Sequence, residues 1–381
     1  MYARLLNKPT SSILLLGPRG TGKSTWIKQV MGDTIRYDLL NNAEAIRLGR
    51  EPSAIYHELA GLPEGSWVVI DEVQKVPQLL DEVHRLMEDK RLNFVLSGSS
   101  ARKLKRGGVN LLAGRAQLTR MFPLTSAETA FDFQIKERLV LGMLPLAILG
   151  ADPQGYLRTY AEVYLQEEIK GEAVARNIGQ FSRFLDVAAR QNGQVTNASS
   201  ISRDAQVSRQ TVQGYFEILT DTLIGNWLEP WKLKRATKQV THPKFYFFDT
   251  GVARALIGRL PYPPTPEELG PLFETFIHSE LKAYMEYSGK HYPVYYWRNH
   301  NGVELDFFIE TSKGFIALEI KSSDRWNSRF NLGFKHVRAE MPEAKCIGVY
   351  LGDRTAQYDF ATVMPAMEFL KALWSNAVID I

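Results

Sequence analysis

The sequence has little of what marks an exported or membrane protein. Of its 381 residues only Cys346 is a cysteine, which excludes a disulfide framework and a metal site built from cysteines. No apolar run approaches the roughly 18 residues of a membrane-spanning helix, and the N-terminus lacks the layout of a signal peptide. We therefore expect a protein of the reducing cytoplasm that has no membrane partner.

Charge of one sign is not in excess either. The formal net charge is +4 at pH 7, so overall electrostatics indicates no class of partner and only local clusters are informative. A composition of 45% hydrophobic and 23% charged residues is that of a globular protein. A chain of 381 residues exceeds what one core usually organises, so we expect two or three domains.

The most informative stretch is residues 17–24, Gly-Pro-Arg-Gly-Thr-Gly-Lys-Ser, directly after the apolar run at 13–16. It matches the phosphate-binding pattern G-x-x-x-x-G-K-[ST]. A buried strand that ends in a glycine loop and opens a helix aims backbone N–H groups and the helix dipole at an anion. The alternative is a chance glycine turn before a helix.

The pattern predicts ATP and Mg²⁺ as cofactors. Lys23 is placed to reach the β- and γ-phosphates, and the Ser24 hydroxyl to bind Mg²⁺. The expected nucleotide-binding residues are Gly17, Pro18, Arg19, Gly20, Thr21, Gly22, Lys23, Ser24, Thr25 and Asp71.

Two further apolar strands end in polar residues. The first, residues 67–72, ends in Asp71 and Glu72; we expect Asp71 to hold the Mg²⁺ shell and Glu72 to polarise the attacking water. The two acids could instead cap the following helix. The second strand, residues 93–100, places Ser97 where it could sense the γ-phosphate. Lys23, Glu72 and Ser97 are thus the expected catalytic residues within one chain.

Phosphoryl transfer usually also needs a cation on the transition state, often supplied by a neighbouring subunit. Arg115 is the first candidate and Arg120 the second, and a role for Arg115 predicts a homo-oligomer, with a ring as the expected form. The alternative is a basic surface, because residues 101–120 contain six cations and no acid.

The chain divides into three predicted modules. Residues 1–150 alternate short apolar strands with helical patterns, which indicates a parallel α/β sheet. Residues 151–260 are mostly helical and end at the proline-rich loop 261–266. Residues 268–381 form a second α/β segment.

The middle module has the pattern of a winged helix. Ser208 is a good N-cap for a helix whose first turn exposes Arg209, Gln210 and Gln213, where a recognition helix meets the major groove. Residues 231–244 then carry five cations and no acid, as a basic wing would. DNA contact is one interpretation, and use as a protein scaffold is the other.

The C-terminal module has its own acidic constellation. Glu280 lies on the apolar face of a predicted helix, where an unpaired carboxylate is costly. Asp306 precedes the strand motif Glu319-x-Lys321, whose alternation puts both motif residues on one face. The set resembles a PD-(D/E)XK nuclease site, with Glu280, Asp306 and Glu319 as Mg²⁺ ligands and Lys321 as a catalytic residue. Two other interpretations of these residues remain open: an inactive relative of the nucleases that only binds nucleic acid, and a set of ordinary salt bridges.

Together these stretches resemble the AAA-type ATPases of bacteria and archaea that carry a C-terminal domain of unknown function, the one numbered 4143. The resemblance implies an AAA-type P-loop core, a winged helix and a restriction-endonuclease-like module, and the roles above for Lys23, Ser24, Asp71, Glu72, Ser97 and Arg115. No second-sensor arginine is evident. The matching stretches are 17–24, 69–74, 97–100, 112–115, 123–125, 142–145, 248–251, 272–274, 302–306 and 318–321.

The sequence therefore predicts an oligomeric ATPase that remodels or translocates on DNA, including branched DNA, with a Mg²⁺-dependent nuclease-like module attached. The competing hypothesis is a nucleotide-dependent signalling or defence switch, whose winged-helix and nuclease-like modules serve assembly or partner binding.

Overall fold

The structure is a computed structural model that describes residues 2–100, 114–164, 178–232 and 242–379. The basic residues expected at 101–113, and most of the basic wing, at 233–241, lie outside the described residues. Within the described ranges, no helix combines the length and the apolar character needed to cross a membrane.

The N-terminal region is built on a parallel sheet, as its alternating pattern predicts. Its strand order is β2-β3-β4-β1-β5, and all pairings are parallel. The central strands are buried on both faces, which explains their almost unbroken apolar sequence. The elements are β1 Ile13–Leu16, α1 Lys23–Met31, β2 Ile35–Asp38, α2 Asn42–Arg50, α3 Ala54–Leu59, β3 Trp67–Asp71, α4 Leu79–Asp89, β4 Asn93–Gly98 and β5 Gln117–Arg120.

The middle region is mostly helical. The Ser208 hydroxyl accepts a hydrogen bond from the Thr211 N–H at 3.0 Å, so Ser208 caps its helix as predicted. Val212, Tyr215 and Phe216 on that helix are buried. The elements are α5 Ile135–Leu141, α6 Pro145–Leu149, α7 Pro153–Thr159, a π-helical turn Tyr160–Tyr164, α8 Ile178–Arg190, α9 Ala198–Asp204, α10 Arg209–Asp221, the hairpin strands β6 Gly225–Leu228 and β7 Lys244–Phe247, and α11 Thr250–Leu256.

The C-terminal region is a second α/β unit around a mixed sheet of order β12-β13-β11-β10-β9-β8. Thr265 and Glu268 form a capping box that begins its longest helix. Cys346 is buried in the sheet. The elements are α12 Pro266–Tyr287, β8 Val294–Arg298, β9 Glu304–Thr311, β10 Gly314–Lys321, α13 Leu332–Glu340, β11 Lys345–Tyr350, β12 Ala356–Tyr358, β13 Ala361–Pro365 and α14 Ala366–Trp374.

Helix α12 connects the regions. Its apolar residues pack in one hydrophobic cluster with the C-terminal sheet and with Leu124, Leu139 and Met143, which follow β5 in the chain. The segment after the first sheet therefore shares a core with the C-terminal unit, and this contact brings the C-terminal unit close to the phosphate-binding loop.

Candidate functional site

The loop after β1 has the backbone that the phosphate-binding pattern requires. Gly20 and Gly22 have φ values of 81° and 95°, a region that only glycine enters without strain. A Cβ at Gly17 would lie 2.5 Å from the Met121 carbonyl oxygen, so this glycine lets the loop pass close to the end of β5. Helix α1 begins at Lys23, and its first N–H groups face the loop.

Lys23 is held inside this loop. Its side chain is buried, and Nζ donates hydrogen bonds to the Gly17 and Pro18 carbonyl oxygens at 2.7 and 3.1 Å. The Thr21 hydroxyl also donates to the Pro18 carbonyl, at 2.8 Å. The ammonium is therefore next to the point on which the loop N–H groups converge, where an anion of the nucleotide would bind.

The two predicted acids lie at the end of β3, beside Ser97 of β4. The Ser97 hydroxyl donates to Asp71 Oδ1, and the Glu72 N–H donates to Ser97 Oγ at 3.2 Å. Asp71 Oδ2 accepts a hydrogen bond from Arg36 Nη2 at 2.8 Å. Asp71 and Ser97 are both buried. The structure thus joins three residues that the sequence assigned separately, and it adds Arg36.

Glu72 has its own partners. Gln74 Nε2 donates to Glu72 Oε2 and, at 3.1 Å, to Ser99 Oγ. Arg36 and Gln74 had no role in the sequence analysis. Arg36 could have been found only from the pairing of β2 with β3, which no motif shows, whereas Gln74 lies within a motif and lacked only an assigned partner.

A cavity of about 450 Å³ opens beside the loop, a size that suits a small-molecule ligand. Residues of the loop, from Arg19 to Thr25, and Glu72 form one side. The other side is largely apolar and comes from distant segments. Leu146 and Leu149 of α6 are each 53% exposed there, and such a surface suits a purine base. The wall residues that were not predicted from the sequence are Tyr2, Arg4, Trp26, Gln29, Leu40, Leu124, Pro145, Leu146 and Leu149.

The loop is tied to both other regions. The Tyr160 hydroxyl donates to the Arg19 carbonyl oxygen at 2.9 Å. Arg4 donates to the Thr21 carbonyl oxygen at 3.4 Å and to the Tyr287 hydroxyl at 3.1 Å. Arg4 also forms an ion pair of 3.1 Å with Glu128. Because Tyr287 is the last residue of α12, one arginine bridges the loop and the C-terminal unit.

Arg115 does not contact the loop of its own chain. Its guanidinium forms an ion pair with Glu88 of α4, and the two side chains are 38% and 50% exposed. A position on the surface is compatible with a role in a neighbouring subunit, and that role stays a prediction.

In the C-terminal unit the structure brings Asp306, Glu319 and Lys321 together. Lys321 Nζ forms an ion pair with Glu319 Oε1 and lies 3.7 Å from Asp306 Oδ2. The Ile320 N–H donates to Asp306 Oδ2 at 2.7 Å. Burial raises the pKa of Glu319, whose Oε2 is buried and has no hydrogen-bond partner among the described residues.

Glu280 does not join this group, contrary to the sequence-based expectation. Its Oε1 accepts hydrogen bonds from the Ser126 N–H at 2.8 Å and hydroxyl at 2.7 Å, and its Oε2 accepts one from Trp374 Nε1 at 2.7 Å. The acid of α12 that faces Asp306 and Glu319 is Glu274. Six residues along a helix separate the two glutamates by about 9 Å along the axis and about 120° around it, so both cannot face the same site.

The charge of Glu274 is balanced by a lysine of the same chain. Lys244 of β7 lies 3.6 Å from Glu274 and 2.6 Å from Glu304, and the Tyr246 hydroxyl donates to Glu274 at 2.8 Å. Burial first, and the charge of Asp306 second, raise the pKa of Glu274 to about 7. In the described part of the chain, no group of three His, Cys, Asp or Glu side chains could hold a metal ion. The residues present therefore do not fit the Mg²⁺ site expected at Glu280, Asp306 and Glu319.

Comparisons with known families agree with the order of these units. Residues 9–130 match an AAA domain, residues 132–262 match a domain of unknown function, DUF8612, and residues 269–369 match another, DUF4143. The chain thus contains an AAA-type ATPase core followed by a DUF4143 domain, which confirms the resemblance at that level.

Two uncharacterized proteins are similar to most of the chain. One is from Mycobacterium tuberculosis (strain ATCC 25618 / H37Rv) and the other from Mycobacterium bovis (strain ATCC BAA-935 / AF2122/97); each is 27% identical over 370 residues, which cover 94% of this chain and 80% of the relative.

Solved structures give weaker matches. The ADP form of the Aeropyrum pernix ORC2 protein aligns with a TM-score of 0.32 at 14% identity, over 66% of this chain and 87% of that one. The Aeropyrum pernix ORC1 protein in complex with DNA aligns with a TM-score of 0.26 at 13% identity, over the same shares.

Proposed function

We propose that this chain is an oligomeric motor that hydrolyses ATP and acts on DNA. The observation that carries the ATPase half is the position of four residues at the carboxyl ends of the neighbouring parallel strands β1, β4 and β3. Ser97 is hydrogen-bonded to Asp71 and Glu72, and Lys23 lines the same cavity as Glu72. Loop N–H groups, a lysine, a serine at the start of a helix and a buried acid are the groups that bind a nucleoside triphosphate with its metal.

The residues divide the chemistry between them. Ser24 and Asp71 would hold Mg²⁺, which would neutralise part of the phosphate charge. Lys23 binds phosphate oxygens. Glu72 orients a water molecule for in-line attack and accepts a proton from it as a general base. Ser97 holds Asp71 and the backbone of Glu72 at a fixed separation through its two hydrogen bonds.

Assembly of several copies of the chain supplies the arginine that completes each ATP site. Arg115 lies on the surface and away from its own loop, where it can reach the nucleotide of a neighbouring copy. A closed ring, the arrangement expected for such head-to-tail contacts, gives every site one arginine.

The DNA half rests on the middle region. Helices α8, α9 and α10 followed by the β6–β7 hairpin have the order of a winged helix, and Arg209, Gln210 and Gln213 are exposed on the first turn of α10. A cavity of about 710 Å³ beside this turn is lined by polar side chains that include Asn197, Arg209 and Gln213. Exposed arginine and glutamine on a helix N-terminus are suited to base edges and phosphates.

The deciding experiment measures ATP hydrolysis by the purified protein alone, with duplex DNA, and with a four-way junction. A motor on DNA is stimulated by at least one of them, and the better activator identifies the preferred shape. The matched control is Arg209→Ala/Gln213→Ala, which should lose the stimulation and keep the basal rate. Equal rates in all three conditions would contradict the DNA half of the proposal.

The second candidate is a nucleotide switch in signalling or defence. It is favoured by the direct ties of the loop to Tyr160 and, through Arg4, to Tyr287, because such ties suit a change of assembly on ATP binding. Slow hydrolysis that DNA leaves unchanged, together with an oligomeric state that differs between ATP and ADP, would support the switch.

Cleavage by the C-terminal unit stays a prediction of the sequence alone. Asp306, Glu319 and Lys321 are together, but no third acid completes a metal site with them in the described residues. Gels of the same DNA substrates with Mg²⁺ test it. Nicking that Asp306→Ala abolishes, with ATP hydrolysis intact, would establish a nuclease.

A further inference from the structure

A separate cavity of about 260 Å³ lies where the end of β5 meets α12 and the segment that leads into β8. Four of its lining residues belong to types that carry a full charge when ionised near neutral pH: Arg120, Lys282, Glu286 and His291. The ring of Tyr292 forms part of the wall. None of these residues belongs to the phosphate-binding loop or to the acidic group around Asp306.

Among the described residues, one carboxylate lines this cavity, and it already has a partner. Glu286 Oε1 accepts a hydrogen bond from the Arg120 N–H at 2.9 Å, and Oε2 lies 3.6 Å from Arg120 Nη1. Glu286 therefore neutralises Arg120. The lining has two permanent cations and one histidine against this one acid, so the space has an excess of positive charge.

Lys282 has no direct partner. Its ammonium has no hydrogen bond and no ion pair within 4 Å among the described residues, although the side chain is partly buried. Burial lowers the pKa of Lys282 and the nearby charge of Arg120 lowers it further, while the more distant charge of Glu286 opposes both in part. A partly buried ammonium without a direct acceptor is poorly compensated, and an anion in the cavity would supply that acceptor.

We propose that Arg120, Lys282 and His291 bind a phosphate group in this cavity. Lysine is a compact point charge and arginine a planar donor, and both are common ligands of phosphate oxygens. The cavity is smaller than the roughly 300–1,000 Å³ of typical small-molecule pockets. Its size therefore favours a small anionic group over a large ligand.

The phosphate has two chemical sources, free phosphate esters and the backbone of a nucleic acid. The backbone of a nucleic acid is the source that agrees with the proposed action on DNA. Only this choice of source rests on the proposed action on DNA; the phosphate site itself does not.

The first experiment measures the melting temperature against inorganic phosphate at constant ionic strength. It uses the Lys23→Ala background, which weakens anion binding at the loop. Phosphate should raise the melting temperature, Lys282→Met should remove that rise, and Lys335→Met, which changes an exposed lysine of α13, should keep it. Lys282→Arg retains the charge and should retain at least half of the rise.

Folding of the variant is checked in the same experiment. Without phosphate, Lys282→Met should melt at the same temperature as its parent or higher, because it removes an unpartnered ammonium. If Lys282→Met melts well below its parent, the phosphate response of Lys282→Arg is compared with that of Lys335→Met instead, and this comparison decides the proposal.

The second experiment measures binding of a fluorescent 20-base-pair duplex over a range of salt concentrations. If the phosphate belongs to DNA, Lys282→Met should weaken binding about 3- to 10-fold and reduce the salt slope by about one. Loss of the phosphate response with unchanged DNA binding would identify free phosphate as the ligand. No phosphate response in the parent, with DNA binding unchanged by Lys282→Met, would overturn the proposal.

Discussion

At the scale of single residues, Ser97 helps to explain how Glu72 is held in a conformation that its own backbone resists. Glu72 has φ 61° and ψ 45°, a left-handed conformation that costs a non-glycine residue about 1–2 kcal/mol. The hydrogen bond from the Glu72 N–H to Ser97 Oγ helps to offset this cost. Strain of this kind is often found at functional sites, where it aims a side chain.

The first residue-scale prediction concerns Glu72→Gln. The variant keeps the shape of the side chain but can no longer accept a proton, so we expect hydrolysis to fall by about 100-fold or more. ATP binding should remain, since the loop and Lys23 are unchanged. Single-turnover hydrolysis and nucleotide binding are measured side by side. Glu64→Gln, a surface change, serves as the control, and continued fast hydrolysis by Glu72→Gln would refute its assigned role.

The second residue-scale prediction concerns the pH dependence of stability that Glu280 causes. Burial raises its pKa to about 7, although three hydrogen bonds oppose this change. A carboxyl with a higher pKa in the folded state binds more protons there than in the unfolded chain between about pH 4.5 and 7. Its contribution to stability is therefore present in acid and is lost as pH rises to about 7, by up to about 3 kcal/mol.

Unfolding of the wild type and of Glu280→Gln is compared between pH 5 and 8. The stability of the wild type relative to the variant should decline with rising pH and level off above about pH 7. Glu310→Gln changes an exposed acid, so the stability of this variant should depend on pH in the same way as that of the wild type. A constant difference between wild type and Glu280→Gln would show that the pKa is not raised.

At the scale of elements, α12 does most to relate the regions. Its first half presents Glu274 to the acidic group of the C-terminal sheet, and its second half contributes Glu280 and Tyr287 to the segment that follows β5. One helix thus contacts both the C-terminal sheet and the segment that follows the first sheet.

This arrangement gives a prediction for Tyr287→Phe. The Tyr287 hydroxyl accepts hydrogen bonds from Arg4 Nη2 at 3.1 Å and from the Phe122 N–H at 3.2 Å. Its removal leaves the Phe122 donor without a partner, which should cost about 1–3 kcal/mol. Urea denaturation measures the loss. Tyr262→Phe, at a residue 57% exposed, should be neutral, and equal stability of both variants would argue against the link.

The elements also show what sequence patterns can and cannot supply. The loop at 17–24 and the acids after β3 were predicted because each motif is local and its strand context is readable. Glu280 was misplaced because helical periodicity identifies a buried face but not the neighbour on that face. Lys244, Arg36 and the cavity wall at Leu146 were missed because pairing between distant segments leaves no local pattern.

At the scale of the whole molecule, the exposed position of Arg115 predicts that activity depends on assembly. Turnover per chain should rise with protein concentration until assembly is complete. Arg115→Ala should reduce the rate of the assembled protein about 1,000-fold or more and leave ATP binding intact. Arg91→Ala, which removes an exposed arginine of a surface ion pair, is the control.

Mixed assemblies sharpen this test. When Arg115→Ala chains are mixed with Glu72→Gln chains, some sites combine an intact Glu72 with an intact Arg115 from the neighbour, and activity should reappear. Concentration-independent rates, or mixtures as inactive as their components, would contradict a shared site.

The burial of Cys346 has a practical consequence. Its pKa is raised to about 11, mainly by burial, so almost no thiolate is present at neutral pH to react with maleimides. The unmodified chain should therefore react very little with thiol-labelling reagents. Single cysteines placed at exposed sites such as Tyr262 and Leu332 can carry dye pairs without further engineering. Energy transfer between them would then record how the spacing of the regions changes through one round of nucleotide turnover.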